Sequence, residues 1–175
     1  MSLSYASLDP SAIQIRLLKI IADENDENPV RTSLHTVSLN DTHDFEALSY
    51  VWGDTSVRVD ILVDNCPVGV TTNLNAFLCA LRQPKQDRMV WADYICINQN
   101  DTPERNSQIL LMSQIYTVAR SVVAWLGEWN PNIDHAVTVN DFVEGKLDQE
   151  ICEDEIVNYV RGTLDLCSAP YWQRL

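Results

Sequence analysis

The run from Trp91 to Gln108, Trp-Ala-Asp-Tyr-Ile-Cys-Ile-Asn-Gln-Asn-Asp-Thr-Pro-Glu-Arg-Asn-Ser-Gln, constrains the fold more than any other segment. Apolar and β-branched residues from Met89 to Ile97 suit a buried strand, and Asn98 to Asp101 are loop formers. Asp101 or Thr102 can cap a helix that carries Pro103 in its first turn. A strand that feeds a polar loop into a capped helix is where α/β sheets place their sites.

The flanking patterns extend this unit in both directions. Ile13 to Ile20 and Arg31 to Leu39 read as an antiparallel pair across the acidic, Asn-rich loop Asp23 to Pro29. Phe45 to Trp52 reads as a third strand closed by Gly53-Asp54, and Val57 to Val63 and Val68 to Val70 form a hairpin about Asp64-Asn65. Thr71 or Thr72 can cap a helix whose apolar face is Leu74, Phe77, Leu78 and Leu81 and which Pro84 stops. A second helix from Pro103 to about Arg120 turns Ile109, Met112, Ile115, Tyr116 and Ala119 inward, and Ser121 to Leu126 follows as a short buried strand. This alternation predicts an α/β fold with a mostly parallel sheet, helices on its faces and a β-rich N-terminal elaboration. Beyond Gly127, Ile133 to Leu147 and Ile151 to Leu164 read as two further helices.

With 175 residues, one domain is expected. Twelve basic against twenty-five acidic side chains give a net charge of −13, which disfavours nucleic acid and anionic membrane surfaces as partners. No apolar run approaches the roughly 20 residues of a spanning helix, Ser at position 2 excludes N-myristoylation, and no signal-peptide pattern is present. A cytoplasmic location is the expectation. The five cysteines show no Cys-x-x-Cys pair and the three histidines no ligand spacing, so neither disulfides nor a metal is expected. Five glycines in the whole chain leave no phosphate loop or dinucleotide fingerprint.

Four carboxylates can carry chemistry. Glu46 has apolar neighbours that can raise its pKa and fit it as a general base, or it can pair with Arg82 or Arg88. Asp93, near the end of an apolar strand, must pair with Arg105 or face a cleft. Glu104 can close a capping box with Asp101, and Asp54 sits where Trp52-Gly53-Asp54 can stack a flat ligand. Arg105 and Gln108 share one helix face, where Arg105 can clamp a phosphate or ribose or pair internally with Asp101 or Asp93. Cys96 lies in the same block, but Asp93 beside it raises rather than lowers a thiol pKa, which argues against a nucleophile. Trp91 and Trp125 read as core.

Four ordered blocks make the chain resemble the fungal heterokaryon incompatibility (HET) domain: Phe45 to Asp54, Val70 to Leu74 with Ala80 to Arg82, Trp91 to Gln108, and Ile115-Tyr116 with Val123 to Gly127. The resemblance spans roughly Ile15 to Gly127. It implies a role in non-self recognition and cell death, and a distant likeness to Toll/interleukin receptor (TIR) domains with their flavodoxin-like core. Some TIR domains hydrolyse NAD using a glutamate to stabilise the oxocarbenium-like ribose. Within the matching blocks, the residues read as catalytic candidates are Glu46, Asp93 and Glu104. The implied substrate contacts are Ser49, Tyr50, Trp52, Gly53, Asp54, Cys96, Asn98, Gln99, Asp101, Arg105 and Gln108, with Asn98 to Asp101 on the active-site loop. NAD enters as substrate, with no cofactor. Ala169 to Leu175 resembles the start of the motif that carries the TIR-type glutamate, and the expected Trp and Gln-Glu do not follow. The alternative reading is a non-enzymatic module that self-associates or recruits another HET, TIR-like or NLR-type signalling protein.

Overall fold

The computed structural model describes residues 3–41, 44–125 and 127. The chain divides into two compact units, Met1–Trp125 and Leu126–Leu175, and all described strands and helices belong to the first. The two helices expected after Gly127, the Ala169 to Leu175 motif, Cys152, Cys167, His43 and His135 lie outside the described residues.

Strand β1 (Gln14–Ile20) is buried on both faces, with Ile15, Leu17, Leu18 and Ile20 in the core and Arg16 buried among them. It pairs antiparallel with β2 (Arg31–Ser38), Ile15 facing Val37 and Leu18 facing Leu34, as expected. Strand β3 (Glu46–Ser49) is shorter than the apolar run around it. Strands β4 (Arg58–Val63) and β5 (Cys66–Thr71) form the expected hairpin. Asp64 and Asn65 both take positive φ, at 50° and 63°, which matches the twist of a two-residue hairpin turn. Helix α1 (Thr72–Leu81) is capped by Thr71, whose hydroxyl accepts from the Leu74 N–H, and it buries Leu74, Phe77, Leu78 and Leu81.

Strand β6 (Arg88–Trp91) departs from the expected Met89 to Ile97 strand, because after Ala92 the chain winds into a single helical turn, α2 (Asp93–Cys96). The Asp93 carboxylate accepts the N–H of Tyr94, and the Cys96 N–H donates to the Ala92 carbonyl. Ile95, Cys96 and Ile97 stay buried. Their apolarity is the same for a buried strand as for a buried turn. Helix α3 (Thr102–Val118) starts where expected, with Asp101 as N-cap and Pro103 in its first turn. Its buried positions are Gln108 and Ile115, which turns Ile109 out to 51% exposure instead of inward. Strand β7 (Ser121–Ala124) pairs only with β3 at one edge of the described sheet, so Val122 is half exposed rather than buried as expected.

The seven strands form one sheet in the order β5-β4-β2-β1-β6-β3-β7. Pairs β2–β4, β3–β6 and β3–β7 are parallel, and β1–β2, β1–β6 and β4–β5 antiparallel. The sheet is therefore mixed, not mostly parallel: β1 runs antiparallel to both its neighbours and joins the N-terminal strands to the β6-β3-β7 unit. Within that unit both crossovers contain a helix, so the chain leaves the C-terminal ends of β3 and β6 on loops that can build a site. Among the described residues no helix is long and apolar enough to cross a membrane.

Candidate functional site

Tyr50 and Trp52 follow β3, and Asp93 follows β6, so parallel pairing brings all three to one end of the sheet. The Asp93 carboxylate accepts from the Tyr50 hydroxyl at 2.9 Å, the Trp52 indole N–H at 3.0 Å and the Tyr94 backbone N–H at 2.8 Å. Burial, followed by the charge of Asp93, holds the Tyr50 phenol well above its ordinary pKa, so it remains a donor. Gly53 turns the chain away at φ 74°, where a Cβ would be strained and would also sit 3.4 Å from the Asn73 Cβ. Asn73, in the first turn of α1, donates to the Val51 carbonyl and accepts from the Trp125 indole at 2.8 Å. Trp125 in turn stacks on Phe77, as its core reading required.

A cavity of about 520 Å³ opens beside this cluster, lined by Leu3, Tyr5, Trp52, Thr55, Arg58, Pro67, Val68, Gly69, Tyr94, Asn98, Gln99 and Asn100. That volume suits a small-molecule ligand. Trp52 meets Tyr94 edge to face at 5.2 Å, and the Arg58 guanidinium lies 5.7 Å from the centre of the Tyr94 ring. Of the sequence candidates, Trp52, Asn98 and Gln99 line the cavity. Tyr50 and Asp93 join it through Trp52, and Gln99 also donates to the Asp93 carbonyl at 2.8 Å. Ser49 is half-buried at the end of β3, and its carbonyl accepts the Trp125 N–H.

The other candidates lie elsewhere, each for a physical reason. Glu104 forms a buried bidentate pair with Arg16 at 2.7 and 2.9 Å and accepts the Asn98 N–H at 2.7 Å. Its burial opposes ionisation, but the Arg16 hydrogen bonds, the Asn98 N–H and the Arg16 charge outweigh it and lower the pKa. Only half the expected capping box forms: Asp101 accepts the Glu104 N–H at 3.0 Å, while the Glu104 carboxylate turns to Arg16. Glu46 is likewise no general base with a raised pKa. Hydrogen bonds from Arg88 lower it, against the effect of burial, and Arg120 adds a second cation at 3.0 Å. Asp54 is exposed and turned onto the Ser56 N–H at 2.8 Å. Arg105 pairs with neither Asp101 nor Asp93 but donates to the Gln99 carbonyl at 3.3 Å. Gln108 is buried, donates to the Gln14 carbonyl, and with Asp101 and Glu104 lines a second cavity of about 440 Å³ along the start of α3.

Cys96 lines neither of these two cavities. It is fully buried, and desolvation pushes its thiol up to about 12 despite the Ala92 N–H it accepts. Alkylation of the native protein near pH 8 is expected to leave the Cys96 peptide unmodified and to label it once denaturant is added, as peptide mass mapping would read. Labelling at the rate of an exposed thiol would contradict this burial.

Sequence reasoning missed Arg16, Arg58, Tyr94, Asn73 and Tyr5. A lone arginine inside the apolar run Ile15 to Ile20 was a usable signal, since a buried cation needs a buried partner. Arg58 gave none, because Arg58 and Asp60 alternate with valines as a solvent-facing strand does.

Sheet and cavity together define an α/β domain with a ligand-sized cleft beside the C-terminal ends of two parallel strands. The family model described as heterokaryon incompatibility protein (HET) matches residues 45–175, and the chain belongs to that family. It is also 34% identical over 151 residues to heterokaryon incompatibility protein 6, OR allele, of Neurospora crassa, an alignment covering 79% of this chain and 22% of that relative. The chain thus spans about a fifth of the length of the curated relative. No solved structure matches it.

Proposed function

We propose that this chain is an effector domain of fungal non-self recognition that acts in the cytoplasm, binds NAD in the cavity and hydrolyses it to nicotinamide and ADP-ribose. The observation that carries the reading is the aromatic wall of Trp52 and Tyr94 tied to the Asp93 carboxylate at the C-terminal ends of β3 and β6. The order β6-β3-β7 adds support, since second, first, third in chain order is how flavodoxin-like sheets, and so TIR-like ones, are arranged. Of the candidates Glu46, Asp93 and Glu104, the two glutamates are held in arginine pairs, which leaves Asp93. In this scheme the aromatic wall seats the nicotinamide ring. Asp93 stabilises the cationic ribose as nicotinamide departs, and water adds at the same carbon and releases its proton.

The test is nicotinamide release from NAD by the purified chain at high concentration, with clustering enforced in a parallel sample. Asp93→Asn is expected to slow release by about a hundredfold or more, the scale of losing one charge-stabilising group. Its melting temperature should change little, because Asn Oδ1 still accepts from Tyr50. Release unaltered by the substitution would take the chemistry away from Asp93, and release absent even when clustered would favour the second reading, a homotypic signalling module. The specific observation for that reading is the apolar surface on α3, where Leu110 is 84% exposed beside Ile109 at 51%.

A further inference from the structure

We infer that the cavity carries an anion subsite, with Arg58 as the clamp for the diphosphate of a dinucleotide; the dinucleotide rests on the NAD reading, the anion does not. Among the described residues, Arg58 is the only charged side chain lining the cavity. Among the described residues every other lysine and arginine except Arg105 has a carboxylate at 3.9 Å or less. In a chain of twenty-five acidic and twelve basic side chains, a cation left without a carboxylate is the exception.

The side chain is also held in place. Its Nη1 donates to the Gly69 carbonyl at 3.1 Å and to the Tyr94 hydroxyl, and the guanidinium rests over the Tyr94 ring. Asp60, two residues along the same strand, forms no ion pair with it. Gly69, which faces Asp60 across the hairpin, leaves room for the Arg58 stem: an added Cβ would lie 3.4 Å from the Arg58 Cδ and 3.6 Å from its Cβ. These contacts engage Nη1 only. The Nε–Nη2 edge makes no hydrogen bond to the described residues, and two parallel N–H groups on one edge are the fork that takes a phosphate bidentately. Asn98 and Asn100, which also line the cavity, bring amide donors that add hydrogen bonds without charge.

Binding of four probes to the full chain, followed by Trp fluorescence or calorimetry at low salt, tests this: NAD, ADP, inorganic pyrophosphate and nicotinamide riboside. Arg58→Gln is expected to weaken NAD, ADP and pyrophosphate by roughly ten- to a hundredfold, the range for losing a charge-assisted pair, and to leave nicotinamide riboside unchanged. Arg58→Lys should fall between, keeping the charge without the fork, and guards against a fold defect in the glutamine variant. ADP and pyrophosphate that fail to bind the wild type, or that bind both variants as tightly as the wild type, would overturn the subsite. Arg58-dependent ADP binding without NAD cleavage would keep the subsite and remove the NAD reading. NAD cleavage with phosphate affinities indifferent to Arg58 would do the reverse.

Discussion

Glu104→Gln is expected to lower the unfolding free energy by about 3–5 kcal/mol, the cost of removing one partner of a buried ion pair. The side chains of Arg16 and Glu104 are only 2% and 10% exposed. Arg16 keeps the Cys96 and Ala6 carbonyls after the change, but these are dipoles, and its charge is left in the interior without a counter-charge. One carboxylate ties three pieces of chain, the middle of β1, the Asn98 loop and the first turn of α3, so their positions loosen together. Urea denaturation would show the loss as a lower midpoint at unchanged slope. The double variant Arg16→Met, Glu104→Leu should recover much of it, because an apolar pair leaves no buried charge. The acid limb supplies a sign test. The folded pKa of Glu104 lies below its unfolded value of about 4.3, so the pair contributes fully above that pH and is lost as pH falls through the folded value. The variant should therefore lose less stability than the wild type below about pH 4.3. A single substitution that costs under about 1 kcal/mol would mean the pair is solvated.

How far the sequence foretold this site depends on whether a contact is local. Asp101 before Thr102-Pro103, Thr71 before α1 and Asp64-Asn65 in the hairpin act within a few residues, and each appears where its turn chemistry placed it. Asp93 was read as needing a partner or a cleft, and it has Tyr50 and Trp52, which only strand pairing could bring near. Glu46 among apolar neighbours was compatible both with a raised pKa and with an arginine partner. The outcome turned on β6 and β7 flanking β3 and delivering Arg88 and Arg120. The Met89 to Ile97 strand failed for a different reason. Burial demands apolar residues whichever backbone form carries them, and a local bond from the Tyr94 N–H to the Asp93 carboxylate favoured the turn. The cavity wall draws on the N-terminal segment, the β4–β5 hairpin and the Asn98 loop, none of which announces the others in sequence.

Glu46→Gln is expected to cost about 2–4 kcal/mol and leave the chemistry of the cavity intact. The Glu46 side chain is 7% exposed, and it accepts from Arg88 through two nitrogens, from Arg120 at 3.0 Å and from Ser121 at 3.3 Å. It closes the edge where β6, β3 and β7 run side by side. The loss should be smaller than at Glu104, because Arg88 and Arg120 are 24% and 58% exposed and water can take over part of their charge. Arg88 lowers the Glu46 pKa, so this contribution too is present above about pH 4.3 and disappears on acidification. Added salt should weaken the Arg120 part first. Glu46 opens β3 and Tyr50 follows its last residue, a separation of roughly 13 Å along an extended chain. A carboxylate at that distance cannot touch a ribose held beside Trp52. Below its melting temperature the variant should therefore release nicotinamide at the rate of the starting protein, while Asp93→Asn does not. A Glu46→Gln protein that kept its melting temperature and lost release would instead place the reacting centre at the N-terminal end of β3, where Arg88 and Arg120 already pair with the Glu46 carboxylate.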